Sequence, residues 1–329
     1  MKFTTMTLGG GGKQTNDFIK EFILKKLGNT YLNQLRDASV LDINSNKLAF
    51  TTDSFVVMPE FFPGGDIGKL AVYGTCNDLA VSGAKPLYLS LSFVISEGYG
   101  LENVARIISS IKEASEEVGV SVVCGDTKVI ERSENIRIII NTAGIGLLQK
   151  DINDYTSIVP GDKVIFTSDI GRHGLAVLSE RGEFNLDADI KSDCGNLYEI
   201  FRKIGYNGIK FARDATRGGV AAVLNEISEK SGFGFLIEES EIPVEQNVKY
   251  LLEFLGLDMF NVANEGVAVI ICESEQSDSI LKKLKTVKIS KNAKIVGEVT
   301  EKNKVILRNE YGGLRVVEMP DGNLLPRIC

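Results

Sequence analysis

Apolar residues in this chain recur with helical spacing in some stretches and as short runs in others. The helical spacing predicts helices over 17–27, 67–82, 101–118, 175–181 and 219–231. The short runs predict strands ending near residues 51–54 and over 87–95, 120–124, 136–143, 163–168, 233–237 and 267–271. The first half thus reads β, α, β, α, β, β, an order that mixes hairpins with crossovers. Pro160-Gly161-Asp162 is a turn signal and marks a boundary. The expected class is α+β, an α/β-type sandwich of two domains in series, with mixed sheets flanked by helices. Each sheet is expected to be covered mainly on one face. Four segments follow: a flexible glycine-rich lead over 1–37, a first domain over 38–157, a second over 158–317, and a mobile tail over 318–329.

Composition narrows the class. At 329 residues, 43% hydrophobic and 25% charged, the chain has ample material for ordinary cores. A net charge of −7 argues against a general nucleic-acid or membrane surface, since both call for basic patches. No apolar run approaches a membrane span and the N-terminus is not a signal peptide, so the expected location is the cytoplasm. The five cysteines form no CxxC pair, which is the usage of a reducing compartment. A single histidine, His173, cannot build a histidine-rich zinc site. Any bound metal must therefore be held by carboxylates, whose oxygens suit magnesium.

Four aspartates sit beside glycine, threonine or asparagine at the ends of apolar segments: Asp53, Asp78, Asp126 and Asp214. Any one of them alone is a common turn or cap residue. Together they fit a magnesium–polyphosphate site, with carboxylates for the cation and glycine-flanked amides for the phosphates. Neither glycine-rich loop is a P-loop. Gly64 to Lys69 is one residue short and Leu70 follows the lysine, while Gly9-Gly10-Gly11-Gly12-Lys13 has Thr7 where the first glycine is required. The run at 9–12 reads as a loop able to close over phosphates or as a plain linker. Lys128 is a candidate phosphate neutraliser or acid–base group, and Glu265 is either a turn residue or a functional carboxylate. His173 is expected to be packed or solvated.

The chain ends Pro326-Arg327-Ile328-Cys329. A thiol at a frayed terminus adds little to a core. It reads either as incidental or as the carrier of a reacting group on a swinging arm. A prenyl anchor is excluded, because that motif needs its cysteine fourth from the end.

These residues resemble the hydrogenase-maturation HypE family, within the superfamily of aminoimidazole ribonucleotide synthetase and selenophosphate synthetase. The carriers are Thr51-Thr52-Asp53-Ser54, FFPGG at 61–65, IGKLAVYGTCNDLAVSGA at 67–84, GDTKV at 125–129, NTAG at 141–144, RDATRGG at 213–219, NEG at 264–266 and PRIC at 326–329. RDATRGG is shared across the superfamily, whereas FFPGG, GDTKV and terminal PRIC together are specific. The chain departs from the family pattern at Leu8 and Arg172, and no nucleotide role is assigned to either.

The resemblance implies a homodimer formed through the first domains, which would also bind ATP and Mg2+. It implies ATP-dependent dehydration of a carbamoyl group on Cys329 to a thiocyanate, after a carbamoyltransferase (HypF) has placed that group there. The cyanide then goes to iron held by a HypC–HypD complex, for [NiFe]-hydrogenase. By resemblance Asp53, Asp78 and Asp214 hold magnesium. Gly9, Gly10, Gly11, Gly12, Lys69, Asp126, Thr127, Asn141 and Arg217 lie at the nucleotide. Cys329, Asp78, Lys128 and Glu265 carry the chemistry, with Glu265 the first candidate base and Lys128 the second. Two rivals stand beside this reading. One is a relative that phosphorylates a small molecule, and the other is a non-catalytic scaffold that docks partners through Cys329.

Overall fold

The computed structural model describes residues 3, 18–30, 47–133, 136–182 and 189–320. The first layer is a four-stranded mixed sheet. It begins with β1 (Leu48–Phe55) and a two-residue hairpin of β2 (Phe61–Phe62) and β3 (Gly65–Asp66). Helix α1 (Ile67–Val81) follows, then β4 (Ala84–Ser96), helix α2 (Leu101–Val118), β5 (Ser121–Ile130) and β6 (Ile138–Leu148). The strand order is β1-β6-β4-β5, with β4 and β5 parallel across the α2 crossover and the other pairs antiparallel.

Helix α2 shows why its sequence folds as it does. Leu101, Val104, Ile107, Ile108, Ile111, Ala114 and Val118 form one buried stripe at helical spacing, and Gly119 ends the helix in the left-handed conformation. Helix α1 is apolar nearly all round, as befits a helix buried on every side. Asp66 caps its start, accepting from the backbone N–H groups of Gly68 (2.8 Å) and Lys69 (3.0 Å). The helical segment Ile19–Leu24 continues into Lys25–Leu27, where Leu27 is buried.

The second layer contains β7 (Lys163–Phe166), α3 (Arg172–Arg181), α4 (Leu197–Ile204), β8 (Ile209–Asp214), α5 (Gly219–Ser231) and β9 (Gly234–Glu238). It continues through α6 (Gln246–Leu255), β10 (Ala268–Cys272), α7 (Ser274–Leu284), β11 (Lys294–Thr300), β12 (Val305–Arg308) and β13 (Leu314–Val316). These strands form a seven-stranded sheet in the order β13-β12-β9-β11-β7-β10-β8, antiparallel except for β12 against β9.

The expectation of sheets covered on one face holds for the first layer and fails for the second. In the first, β1 alternates between exposed and part-buried positions, and Phe50 on its open side is 70% exposed. In the second, every residue of β10 is buried. Val164, Phe166, Val269 and Ile271 pack with helix α5 in one core. Ile165, Ala268, Ile270 and Cys272 point the other way, into a core shared with α4, α7 and helix α1. Both helices on that side, α4 and α7, were absent from the elements predicted by spacing. The same core runs without interruption from the first sheet into the second.

This two-faced burial has a measurable consequence. Ile270→Ala should lower stability by about 2–5 kcal/mol in denaturant unfolding, the cost of truncating a fully buried side chain. A change within about 0.5 kcal/mol, as at a surface position, would contradict the packing of α4 and α7 against this face.

Candidate functional site

Helix α1 lies between the two sheets and carries the site. Its Asp78 meets Asp53 of β1 and Asp214 at the end of β8 around a cavity of about 260 Å³. Thr52, Ser54, Gly74, Arg213, Thr216, Arg217 and Glu265 complete most of the wall. Side chains alternate along a strand, so Thr51, Asp53 and Phe55 all face α1. The Thr51 hydroxyl donates to Asp78 Oδ2 at 2.9 Å. Gly74 permits this approach, since a Cβ there would sit 2.8 Å from the Phe55 ring.

Two loops from the second layer close the cavity. Residues 214–219 lead from β8 into α5, and the Ala215 carbonyl accepts from both the backbone and the side chain of Asn264 (3.0 and 3.1 Å). The loop carrying Glu265 is pinned from behind. Asp193 Oδ2 accepts from the backbone N–H of Glu265 (3.1 Å) and of Gly266 (2.9 Å). Gly266 is required there because a Cβ would lie 2.0 Å from the Asp193 carbonyl oxygen. The Asn77 amide donates to the carbonyls of Gly195 (3.0 Å) and Glu265 (3.4 Å), while its oxygen accepts from Leu197 N (2.8 Å).

Burial and mutual proximity shift the carboxyls of this cavity toward their neutral forms. Burial raises the pKa of Asp53, against the pull of a Ser54 backbone bond and of Arg217. Burial also raises Asp78, and the neighbouring Asp53 charge adds to it, opposed by the Thr51 bond, Arg213 and Arg217. Asp214 is pushed up to about 7 by burial and by Asp78, with Arg213 opposing. Among the described residues no three histidine, cysteine or acidic side chains converge closely enough to hold a metal ion by themselves. The donors are of the hard-oxygen type that suits magnesium, an ion bound through one or two carboxylates plus waters and substrate phosphates.

The sequence candidates do not all meet here. Asp53, Asp78, Asp214, Arg217 and Glu265 share the cavity. Asn141 borders it on β6, donating to the Asp53 carbonyl (2.9 Å) and Ser54 Oγ (2.8 Å). Lys69, in the first turn of α1, lines a different cavity and approaches Glu113 at 4.0 Å. Asp126, Thr127 and Lys128 lie within β5, not in a loop after it, because that strand runs past residue 124 to Ile130. Asp126 and Lys128 are exposed and pair with each other at 3.5 Å. Strand β5 is three places from β1, about 14 Å at ordinary strand spacing. Gly9 to Gly12, Leu8 and Cys329 lie outside the described residues. His173 is packed, as expected: it is fully buried, shares a 2.9 Å hydrogen bond with Ser192 Oγ, and sits edge-on to Phe62.

Sequence reasoning missed Thr51, Asn77, Arg213, Thr216 and Asp193. The first four stand next to residues it did name, so their motifs carried the signal. Asp193 lies in no such motif.

The chain matches two family models, AIR synthase related protein, N-terminal domain, over residues 35–148, and AIR synthase related protein, C-terminal domain, over residues 159–309. A carbamoyl dehydratase HypE of Cupriavidus necator is 40% identical, over 98% of this chain and 93% of that one. A crystal structure of a hydrogenase maturation protein HypE in complex with ATP superposes with a TM-score of 0.94 at 37% identity, over 98% and 99% of the two chains. A crystal structure of a HypE–HypF complex matches with a TM-score of 0.81 at 43% identity, over 92% of this chain and 99% of that one.

The raised carboxylates predict a pH signature. A carboxyl whose folded pKa exceeds its unfolded value binds more protons when folded, so stability falls as pH rises from the unfolded value to the folded one. For Asp214 that window runs from roughly 4, the unperturbed range, to about 7. Without divalent cations, Asp214→Asn should be more stable than the parent at pH 8 in urea unfolding, with the gap closing toward pH 4. A variant less stable at pH 8 would contradict the assignment.

Proposed function

This chain belongs to the HypE family, the carbamoyl dehydratases among the AIR synthase related proteins, and we propose that it dehydrates a carbamoyl group on its own Cys329 at the expense of ATP. The observation that carries this reading is where the tail departs. The Asn225 amide holds the Val317 carbonyl at 3.0 Å, and Pro320 lies against Gly218, next to Arg217 on the cavity wall. From 321 to 329 an extended chain spans about 30 Å, enough to bring the thiol back to the carboxylates.

The chemistry follows from the leaving group. An amide oxygen leaves poorly, so it first attacks the γ-phosphorus of ATP and displaces ADP. The nitrogen then loses its two protons, the carbon–oxygen bond breaks, and phosphate departs with the former amide oxygen. The product on sulfur is a thiocyanate. Glu265 is the base that takes an N–H proton, with Lys128 second, and Arg213 and Arg217 stabilise the charge on the transferred phosphoryl group. Asp53, Asp78 and Asp214 are the residues to hold Mg2+, which when bound neutralises phosphate oxygens. Asn141 and Arg217, with Gly9 to Gly12, are the residues proposed to contact the nucleotide.

Asp126, Thr127 and Lys128 enter through a second copy of the chain. The open face of the first sheet carries exposed Leu48 and Phe50 on β1 and, at its other edge, exposed Ile130 beside Asp126 and Lys128 on β5. Apolar surface of this kind favours burial against a partner. A homodimer through this face would present one copy's Asp126–Lys128 edge to the other's carboxylates. HypF is the proposed donor of the carbamoyl group, and the HypC–HypD complex the acceptor of cyanide for hydrogenase iron.

In single-turnover assays on carbamoylated protein, Glu265→Gln and Asp78→Asn should each slow ATP-dependent phosphate release by about 10²-fold or more, the scale of losing an acid–base or electrostatic group. Full activity in either variant would overturn that residue's role.

A further inference from the structure

A second cavity, of about 550 Å³, opens beside the first. Asp193 lines it while Glu265 lines the other, and the bond from Glu265 N to Asp193 Oδ2 joins the two walls. Its volume falls in the range of small-molecule sites.

The polar groups on this wall are unevenly satisfied. Asp193 is 4% exposed, and its second oxygen, Oδ1, has no hydrogen-bond partner. The Nε of Arg172 also lacks one, although its Nη1 donates to Glu245 at 3.2 Å. A buried polar atom left unpaired is costly, and such atoms mark places where a ligand or ordered water belongs.

The rim carries five cationic side chains and five carboxylates, and the cations are the less engaged of the two. Four lysines line it: Lys69, which approaches Glu113 at 4.0 Å, and Lys191, Lys288 and Lys291. Among the described residues none of the last three pairs with a carboxylate. Most carboxylates of the lining are already engaged: Glu245 by Arg172, Asp169 by the Asn292 amide, and Glu117 by the Tyr73 hydroxyl. Helix α4 begins here as well, with Asn196 at its cap, so its positive end adds to the field. An occupant that satisfies this wall brings negative charge to the lysines and Arg172, and a hydrogen-bond donor to Asp193.

We propose that this cavity is a second ligand site, for a small phosphate ester that also carries hydroxyl groups. The phosphate meets Arg172, Lys191, Lys288 and Lys291, and a hydroxyl donates to Asp193 Oδ1. The site stands apart from the carboxylate cavity and does not depend on the dehydratase reading.

The test titrates the full chain, without ATP or divalent cations and at constant ionic strength, with glycerol 3-phosphate and separately with inorganic phosphate. Calorimetry should show saturable binding of glycerol 3-phosphate at one site, several-fold tighter than inorganic phosphate. Lys288→Ala with Lys291→Ala should weaken it by about tenfold or more, the scale of losing charge-assisted contacts. Asp214→Asn should leave it within about twofold, as expected for a separate site. The proposal is overturned by absence of saturable binding, by equal affinity for the two probes, by indifference to the lysine changes, or by loss in Asp214→Asn.

Discussion

The amide of Asn77, buried in a helix that belongs to the first sheet, reaches across to the backbone of the second layer at Gly195, Leu197 and Glu265. The next residue is Asp78. One helical turn therefore both joins the layers and places a carboxylate, so the cavity cannot be assembled without the interdomain contact. Three hydrogen bonds on one buried side chain form a high-stakes network, because a lost partner leaves a polar group stranded. The continuous core on either side of helix α1 holds that turn in place.

That rigidity sustains an arrangement that is electrostatically unfavourable by itself. Asp53 disfavours the ionised form of Asp78, and both disfavour that of Asp214, while the flanking arginines oppose these shifts without cancelling them. Such a cluster costs stability in the empty protein and gains it when positive charge arrives. Arg213 is itself tied to Glu226, which fixes one cationic wall.

Much of this was legible in the chain, for reasons that differ by element. Helix α1 announced itself because an apolar segment interrupted by Asn77 and Asp78 has no ordinary surface face. RDATRGG stood out because aspartate, arginine and glycine crowd together in it, and NEG because its glutamate and glycine immediately precede an apolar run. Strand β8, Ile209–Asp214, was missed because lysine and arginine interrupt it, and β11 to β13 because they are short, partly polar strands. Strand β5 was cut short at Cys124, since an edge strand tolerates the exposed Asp126 and Lys128 that look like loop residues. Helix α4 has eight residues between glycines, too few turns for periodicity to register. Missing it led to the one-faced expectation for the second sheet. The meeting of Asp53 with Asp214 is a tertiary fact that no local pattern encodes; their similar settings at the ends of apolar segments and the family resemblance grouped them.

We propose that the chain carries its own substrate on Cys329. The most direct test is the mass of the C-terminal peptide after carbamoylation, with and without ATP and magnesium. The expected result is a carbamoyl adduct on Cys329 that loses one water only when ATP is present. An adduct that never loses water, or a Cys329 that is never modified, would contradict it.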